Sequence, residues 1–301
     1  MGRSSFTAVD IAGISLGVLV ILAVIGSFAM ITRGGLMSPG WRDALSGATW
    51  TGRAESGGSA GAEGTDSEQT VYGTFTTVEV TGVAGEIVFT FHDGSGVKVR
   101  SVKHAPTQRA LDSLRTEIAK EGSRLVVGEK RDDPLNPGSI SFYVSLPRET
   151  VDLSARTVSG RIQVQGLPAG VKQNLKSVSG RLETDGSGDL SAETVSGSIE
   201  FTFAGRDLGL KTISGGVHGT IDSLAPDGRV EADTVSGSVR LAAWEGLAAR
   251  LNLHSVSGSV SCDFPLAGSM AKHNALEGTV GKGGASLEVG TTSGSIRIEK
   301  K

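Results

Sequence analysis

The sequence predicts an all-β protein, a parallel β-helix or solenoid with rungs of about 20 residues, behind one N-terminal apolar span. Three observations carry this. A four-residue Ser/Thr-Val-Ser-Gly motif recurs with its glycines 16 to 22 residues apart from Val151 onwards, and a fixed short period is the mark of a solenoid. Glycine is abundant, 44 of 301 residues, without the G-X-Y period of collagen. Residues Ile11–Ile31 form a run of 21 without a charge, enough for a helix to cross a bilayer.

The apolar run has two readings. As a signal peptide it offers a small-x-small site, Ser27-Phe28-Ala29, with cleavage after Ala29. Signal h-regions are usually 7–15 residues long, so the longer run here favours an uncleaved anchor over residues 1–32. Arg3 and the amino terminus precede the span, while Arg33 and Arg42 follow it. Positive-inside counting leans against export, but long domains translocate largely regardless of flanking charge. The expectation is a C-terminal part outside the cytoplasm, tethered through residues 11–31.

Residues 33–70 show no sustained apolar period. Ser56-Gly57-Gly58-Ser59-Ala60-Gly61, followed by Glu63, Asp66 and Glu68, reads as a flexible, solvated linker. Trp41 and Trp50 fit either the headgroup zone, which Trp favours, or a local turn. A β domain is expected over 71–301, with leading strands and a short helix over 71–150 and repeats over 151–301. Phe75–Phe91 alternates through Val78, Val80, Ile87, Phe89 and Phe91, and Val97–Val102 alternates again. Thr107–Leu114 reads as a short helix with Ala110, Leu111 and Leu114 on one face. Arg115–Lys120 and Arg124–Glu129 flank Gly122-Ser123 as a hairpin, and Ser139–Leu146 is a strand ended by Pro147.

The repeats are Thr157-Val158-Ser159-Gly160, Ser177–Gly180, Thr194–Gly197, Thr212–Gly215, Thr234–Gly237 and Ser255–Gly258, a degraded Ala275–Gly278, and Thr291–Gly294. Aligned on their glycines they form columns. Two residues after stand Ile162, Leu182, Ile199, Val217, Val239, Val260, Val280 and Ile296, all aliphatic. Two before stand Val158, Val178, Val195, Ile213, Val235, Val256 and Leu276, with Thr292 departing. Five before stand Ala155, Leu175, Ala192, Leu210, Ala232 and Leu253. β-branched columns suit pleated surfaces packed on themselves, so each copy is one rung and eight stacked rungs enclose a core. The glycine marks a corner where a side chain would clash or φ must be positive. Ile199, Val239 and Val260 are expected inside, Glu200 and Arg240 outside, and Val239 between Val217 and Val260.

The serines before each glycine, among them Ser159, Ser196 and Ser257, stand in no G-x-S-x-G elbow. Seven equivalent positions favour corner hydroxyls that satisfy turn backbone groups. Four residues before glycine lie Arg156, Lys176, Glu193, Lys211, Asp233, His254 and Asn274. Rungs are about 4.8 Å apart, so Lys176, Glu193, Lys211 and Asp233 would alternate in sign along an outer face. That ladder, Arg156 to His254, is the candidate binding stripe, set against a solvated face with weak cross-strand pairs. Glu183 and Glu200, three after glycine, would be like-charged neighbours whose repulsion a cation could relieve.

Other chemistry finds no support. One cysteine, Cys262, permits neither an internal disulfide nor a cysteine-based metal site, and reads as a small core residue. A net charge of -3 without a basic run gives no nucleic-acid footprint. His92, His104, His218, His254 and His273 show no zinc-protease spacing, and no G-x-x-x-x-G-K-S/T is present. No cofactor or metal is implied.

The Thr/Ser-Val-Ser-Gly-Ser/Arg-Ile/Val repeats resemble the bacterial putative adhesin family catalogued as domain of unknown function 4097, over Val71–Lys301. Ile140–Pro147 is similar to that family's usual lead into the repeats. The resemblance implies a prokaryotic envelope protein with a β-helical body and supplies no catalytic residues. The expected function is a non-enzymatic, membrane-tethered binding or scaffold module whose macromolecular partner is a protein or polysaccharide of the envelope. Two alternatives are an envelope-stress ectodomain restraining a signalling partner and, more remotely, a polysaccharide-active enzyme. Glycoside hydrolysis needs paired carboxylates across a cleft, and the acidic residues here scatter outward by column.

Overall fold

The computed structural model describes residues 51–53, 63–133 and 137–301. The expected span Ile11–Ile31, the cleavage point after Ala29, Trp41, Trp50 and the Gly/Ser run 56–61 lie outside the described residues. Those described form 22 strands and one short helix.

The leading part contains β1 (Thr51–Arg53), β2 (Glu63–Val71), β3 (Thr77–Ala84), β4 (Ile87–His92), β5 (Val97–Ala105), α1 (Gln108–Asp112), β6 (Leu114–Glu121), β7 (Arg124–Arg131) and β8 (Ser139–Pro147). β2 corrects the expected start of order at Val71. Its residues Glu63–Val71 pair antiparallel with β5, and Asp66–Glu68 pair with β1 on the other edge, so polarity marks an outer strand here rather than a linker. Thr107 caps α1 by accepting the Ala110 N–H, which satisfies one of the orphan donors of a first turn.

The repeat part contains β9 (Asp152–Ser159), β10 (Ile162–Leu167), β11 (Lys172–Ser179), β12 (Leu182–Ser187), β13 (Leu190–Thr194), β14 (Ile199–Ser214), β15 (Val217–Ser236), β16 (Val239–Ala243), β17 (Ala249–Ser255), β18 (Val260–Cys262), β19 (Ala267–Lys272), β20 (Ala275–Val280), β21 (Ala285–Ser293) and β22 (Ile296–Lys300). They build two stacks of parallel strands. The first runs β7, β3, β9, β11, β13, the later halves of β14 and β15, β21 and β17. The second runs β8, β4, β10, β12, the earlier halves of β14 and β15, β16, β22 and β18. Antiparallel strands close the ends. β6 covers β7, β5 and β2 extend β8, and the β19–β20 hairpin covers β17.

Each rung crosses from the first stack to the second at its glycine. Side chains alternate along each strand, and the inward sets meet in one core. Ile87, Ile162, Leu182, Ile199, Val217, Val239 and Ile296 are each at most 1% exposed, in one column. Ala155, Leu175, Ala192, Leu210, Ala232 and Leu253 face them, fully buried.

Five further expectations are corrected. The column two before glycine points outward, with Val235 45% and Val256 67% exposed. Strand alternation then turns the residue three before glycine inward, and Thr157, Ser177, Thr194, Thr212, Thr234, Thr291 and Ser255 are all buried. Of these, Thr212, Ser255 and Thr291 donate to the carbonyls of Gly197, Gly294 and Gly237 on the neighbouring rung. The buried corner hydroxyls are therefore these, while the serines before glycine are exposed.

The degraded copy at Gly278 is no rung, since β20 runs antiparallel to β17. The remaining rung is Val83-Ala84-Gly85-Glu86-Ile87, whose Ile87 pairs with Ile162. Rung order also departs from chain order. β21 and β22 lie between β15/β16 and β17/β18, so Val239 sits between Val217 and Ile296. Val260 falls on the terminal rung with a strand on one side only, its N–H donating to the His273 carbonyl of the β19–β20 hairpin on the other, and is half-buried rather than buried.

At every corner but Gly85, whose φ is 111°, the glycine is required by close approach and not by φ. Gly160, Gly180, Gly197, Gly215, Gly237 and Gly258 all have ordinary negative-side backbone. A Cβ on any of them would overlap the glycine carbonyl of the adjacent rung, the last stacking on Gly294.

Candidate functional site

The outer face of the first stack carries the charged ladder, because strand alternation that sends Leu175 and Ser177 inward sends Asn174 and Lys176 out. Register places Arg156, Lys176, Glu193, Lys211 and Asp233 on consecutive rungs. Lys176 Nζ meets Glu193 Oε2 at 2.9 Å. Arg156 turns away from Lys176 to Glu79 Oε1, 2.8 Å away, and Arg124 holds the other oxygen of the same carboxylate. Lys211 Nζ lies 3.5 Å from Glu231 Oε1, two positions along from its register partner Asp233.

His254 is not beside Asp233. The inserted strand β21 separates them and contributes Gly290, the register partner of both. A Cβ at Gly290 would stand 2.9 Å from the His254 imidazole and 3.1 Å from Asp233 Oδ1. The two side chains thus lean over the glycine, which is buried at an outward-facing position. Burial, together with the nearby Glu231, raises the Asp233 pKa against the opposing pull of Lys211 and His254.

Sequence reasoning missed the rows beside the ladder, which continue its period-2 alternation. Six and eight residues before the glycines lie Ser154, Asn174, Ser191 and Gly209, then Asp152, Lys172, Asp189 and Asp207. Small side chains in the nearer row leave a groove of about 720 Å³ between the charged rows. Asp189 Oδ1 is already engaged there, accepting the Asp207 N–H at 3.0 Å where the β14–β15 register shifts.

The outer face of the second stack bears a groove of about 690 Å³ lined by Glu183, Glu200, His218 and Arg240 among others. Glu183 and Glu200 are register partners, as expected. Their repulsion is relieved by Arg181, 3.4 Å from Glu183 and 3.7 Å from Glu200. Among the described residues no three His, Cys, Asp or Glu side chains are gathered as a metal centre would need. Cys262 is half-buried on the terminal rung, and burial raises its pKa away from thiolate reactivity.

Buried Glu129 also has a raised pKa, first through desolvation. It accepts the Val83 N–H at 2.9 Å and lies 2.6 Å from Arg131, contacts that tie β7 to the corner of β3. With its side chain 1% exposed, Glu129 has a structural geometry.

The architecture and the site define a repeat-built, all-β domain with extended polar outer faces. The chain belongs to the family described as Toastrack DUF4097, whose pattern matches residues 133–299. A crystal structure of a "putative cell adhesion protein" from Clostridium sporogenes is 12% identical, covering 79% of this chain and all of that one, with a TM-score of 0.36. A "putative adhesin" from Bacteroides fragilis is 13% identical over 80% of this chain and 98% of its own, TM-score 0.36. A "putative lipid binding protein" from Parabacteroides distasonis is 15% identical over 80% and 98%, TM-score 0.32. No curated protein sequence matches the chain.

Proposed function

We propose that this protein is a non-enzymatic binding or scaffold module of the cell envelope, with the outer face of the first stack as its binding surface. The observation that carries the reading is the ladder itself: Lys176, Glu193, Lys211 and Asp233 on consecutive rungs, beside a groove floored by small polar residues. A rigid stack repeats such groups at about 4.8 Å, which suits a long, repetitive partner such as a polysaccharide or an extended protein segment. Ile11–Ile31 serves as the uncleaved anchor that holds the domain outside the cytoplasm. The coil is right-handed, the hand taken by nearly all crossovers between parallel strands of one sheet.

Binding of the full chain to isolated envelope polysaccharide and envelope protein fractions tests this. Lys176→Glu combined with Lys211→Glu should weaken retention at least tenfold, while Arg240→Glu on the other outer face should leave it unchanged. Equal retention by all three proteins would remove the first stack as the binding surface. Release of a mature chain beginning at Met30 into the medium would remove the anchor.

A further inference from the structure

We infer that the C-terminal rung, β21–β22, is an exchangeable strand, and that its slot accepts the same segment from a second copy of this chain. The slot lies between the β15/β16 rung and the β17/β18 rung, both of which precede its occupant in the chain. Inserting Ala285–Lys300 therefore requires those two rungs to stand apart while that later segment enters. Once seated, Ala285, Leu287, Val289, Ile296 and Ile298 are buried, and both edges of the segment are hydrogen-bonded.

The two flanking rungs also fit each other. Every column is shared, so with the slot empty Val260 would stack on Val239 and Gly258 on Gly237, as the repeat itself dictates. His254 would then lie beside Asp233, the ladder neighbour that Gly290 now keeps one rung away. A closed and an inserted stacking thus obey the same column rules, which makes the slot a two-state element.

Three of the four residues in the tether before the rung are glycine. Gly281, Gly283 and Gly284 have φ of 59°, 71° and 120° and lie between β20 and β21. They carry the chain from one side of β17 to the other. An element behind a glycine hinge makes the same contacts whether it docks on its own chain or on a copy, so only the hinge differs between monomer and swapped dimer. Such an exchange joins copies without consuming either outer face.

The test uses full-length chains carrying Cys262→Ala. Ser236 and Ser293 are exposed register partners across the slot, and neighbouring strands lie about 4.8 Å apart, within disulfide reach. S236C and S293C chains are produced together and oxidised. Exchange gives a disulfide-linked dimer at twice the chain mass that neither single-cysteine chain forms alone. A double S236C/S293C chain should instead lock as an oxidised monomer and lose exchange. Deleting Gly283 and Gly284 leaves too little hinge to round β17, so light scattering should show a shift from monomer to dimer. A mixture indistinguishable from the single variants, alongside an oxidised double-variant monomer, would overturn the proposal; so would failure of the double variant to oxidise, because the slot register would then be wrong.

Discussion

At the scale of the residue, the corner glycines show how one backbone position sets the geometry of the stack. Gly197 sits over the Gly180 carbonyl and beneath Gly215, and a Cβ would overlap backbone that has no room to move. Gly197→Ala should therefore abolish a folded melting transition or lower it drastically. Gly122→Ala is the control: φ is 61° but nothing lies within 4 Å of the added carbon, so strain alone should cost roughly 1–2 kcal/mol. Thermal melts of the two variants separate close approach from φ. Asp233 makes a second prediction. Its pKa is raised chiefly by burial, so the folded chain binds that proton more tightly than the unfolded chain, where Asp titrates near about 3.9. Ionised Asp233 then subtracts stability at neutral pH, and the loss is recovered as pH falls through the folded value. Asp233→Asn should melt above the wild type at pH 7 and converge with it towards about pH 4.

At the scale of the element, alternation decides which columns hold the rungs together. Val239 is 1% exposed between Val217 and Ile296, whereas Val256 is 67% exposed on the outward column. Val239→Asp buries an unpaired carboxylate and should cost several kcal/mol; Val256→Asp, the same chemical change, should move the melting point little. The column two after glycine was legible because it is aliphatic throughout and one face of a strand must be buried. The column two before it was not, because Val reads as an interior residue while the Thr and Ser beside it read as surface. Burial goes instead to Thr157, Thr194 and Thr234, at most 5% exposed, with the Thr234 hydroxyl oxygen turned towards the corner at Gly237. The ladder was legible in register from Arg156 to Asp233, since equal spacing from each glycine fixes it. The displacement of His254 was not, because repeats that share every column carry no signal of which rung lies beside which. Gly85 was overlooked for want of a Ser-Gly, although Val83 and Ile87 bracket it at the repeat's own spacing.

At the scale of the whole molecule, a stack whose rungs touch only their neighbours has a stability that depends on position along it. Middle rungs are held from both sides, and opening one separates the core into two pieces. The last rung, β17–β18, has β21–β22 on one side and on the other only the β19–β20 hairpin, which pairs with β17 and reaches β18 through the Val260 N–H to His273 carbonyl bond. β18 is three residues long and has no strand beyond it among the described residues. Ile199, fully buried between Leu182 and Val217, should show the full cost of a core cavity on truncation: Ile199→Ala should lose about 2–5 kcal/mol, expressed as a lower global melting point. Val260→Ala removes methyls already partly in water and should cost about 1 kcal/mol or less. Hydrogen exchange distinguishes the two modes of failure. In the unmodified chain, amides of β12, β14 and β15 should exchange only on global unfolding, while those of β18 exchange by local fraying at lower free energy. Val260→Ala should accelerate the β18 amides alone, and Ile199→Ala should accelerate the slowest amides throughout the stack. Equal acceleration everywhere by Val260→Ala would mean that the terminal rung is fully coupled to the middle, and that the inserted strand β21–β22 transmits stability across the slot rather than ending it there.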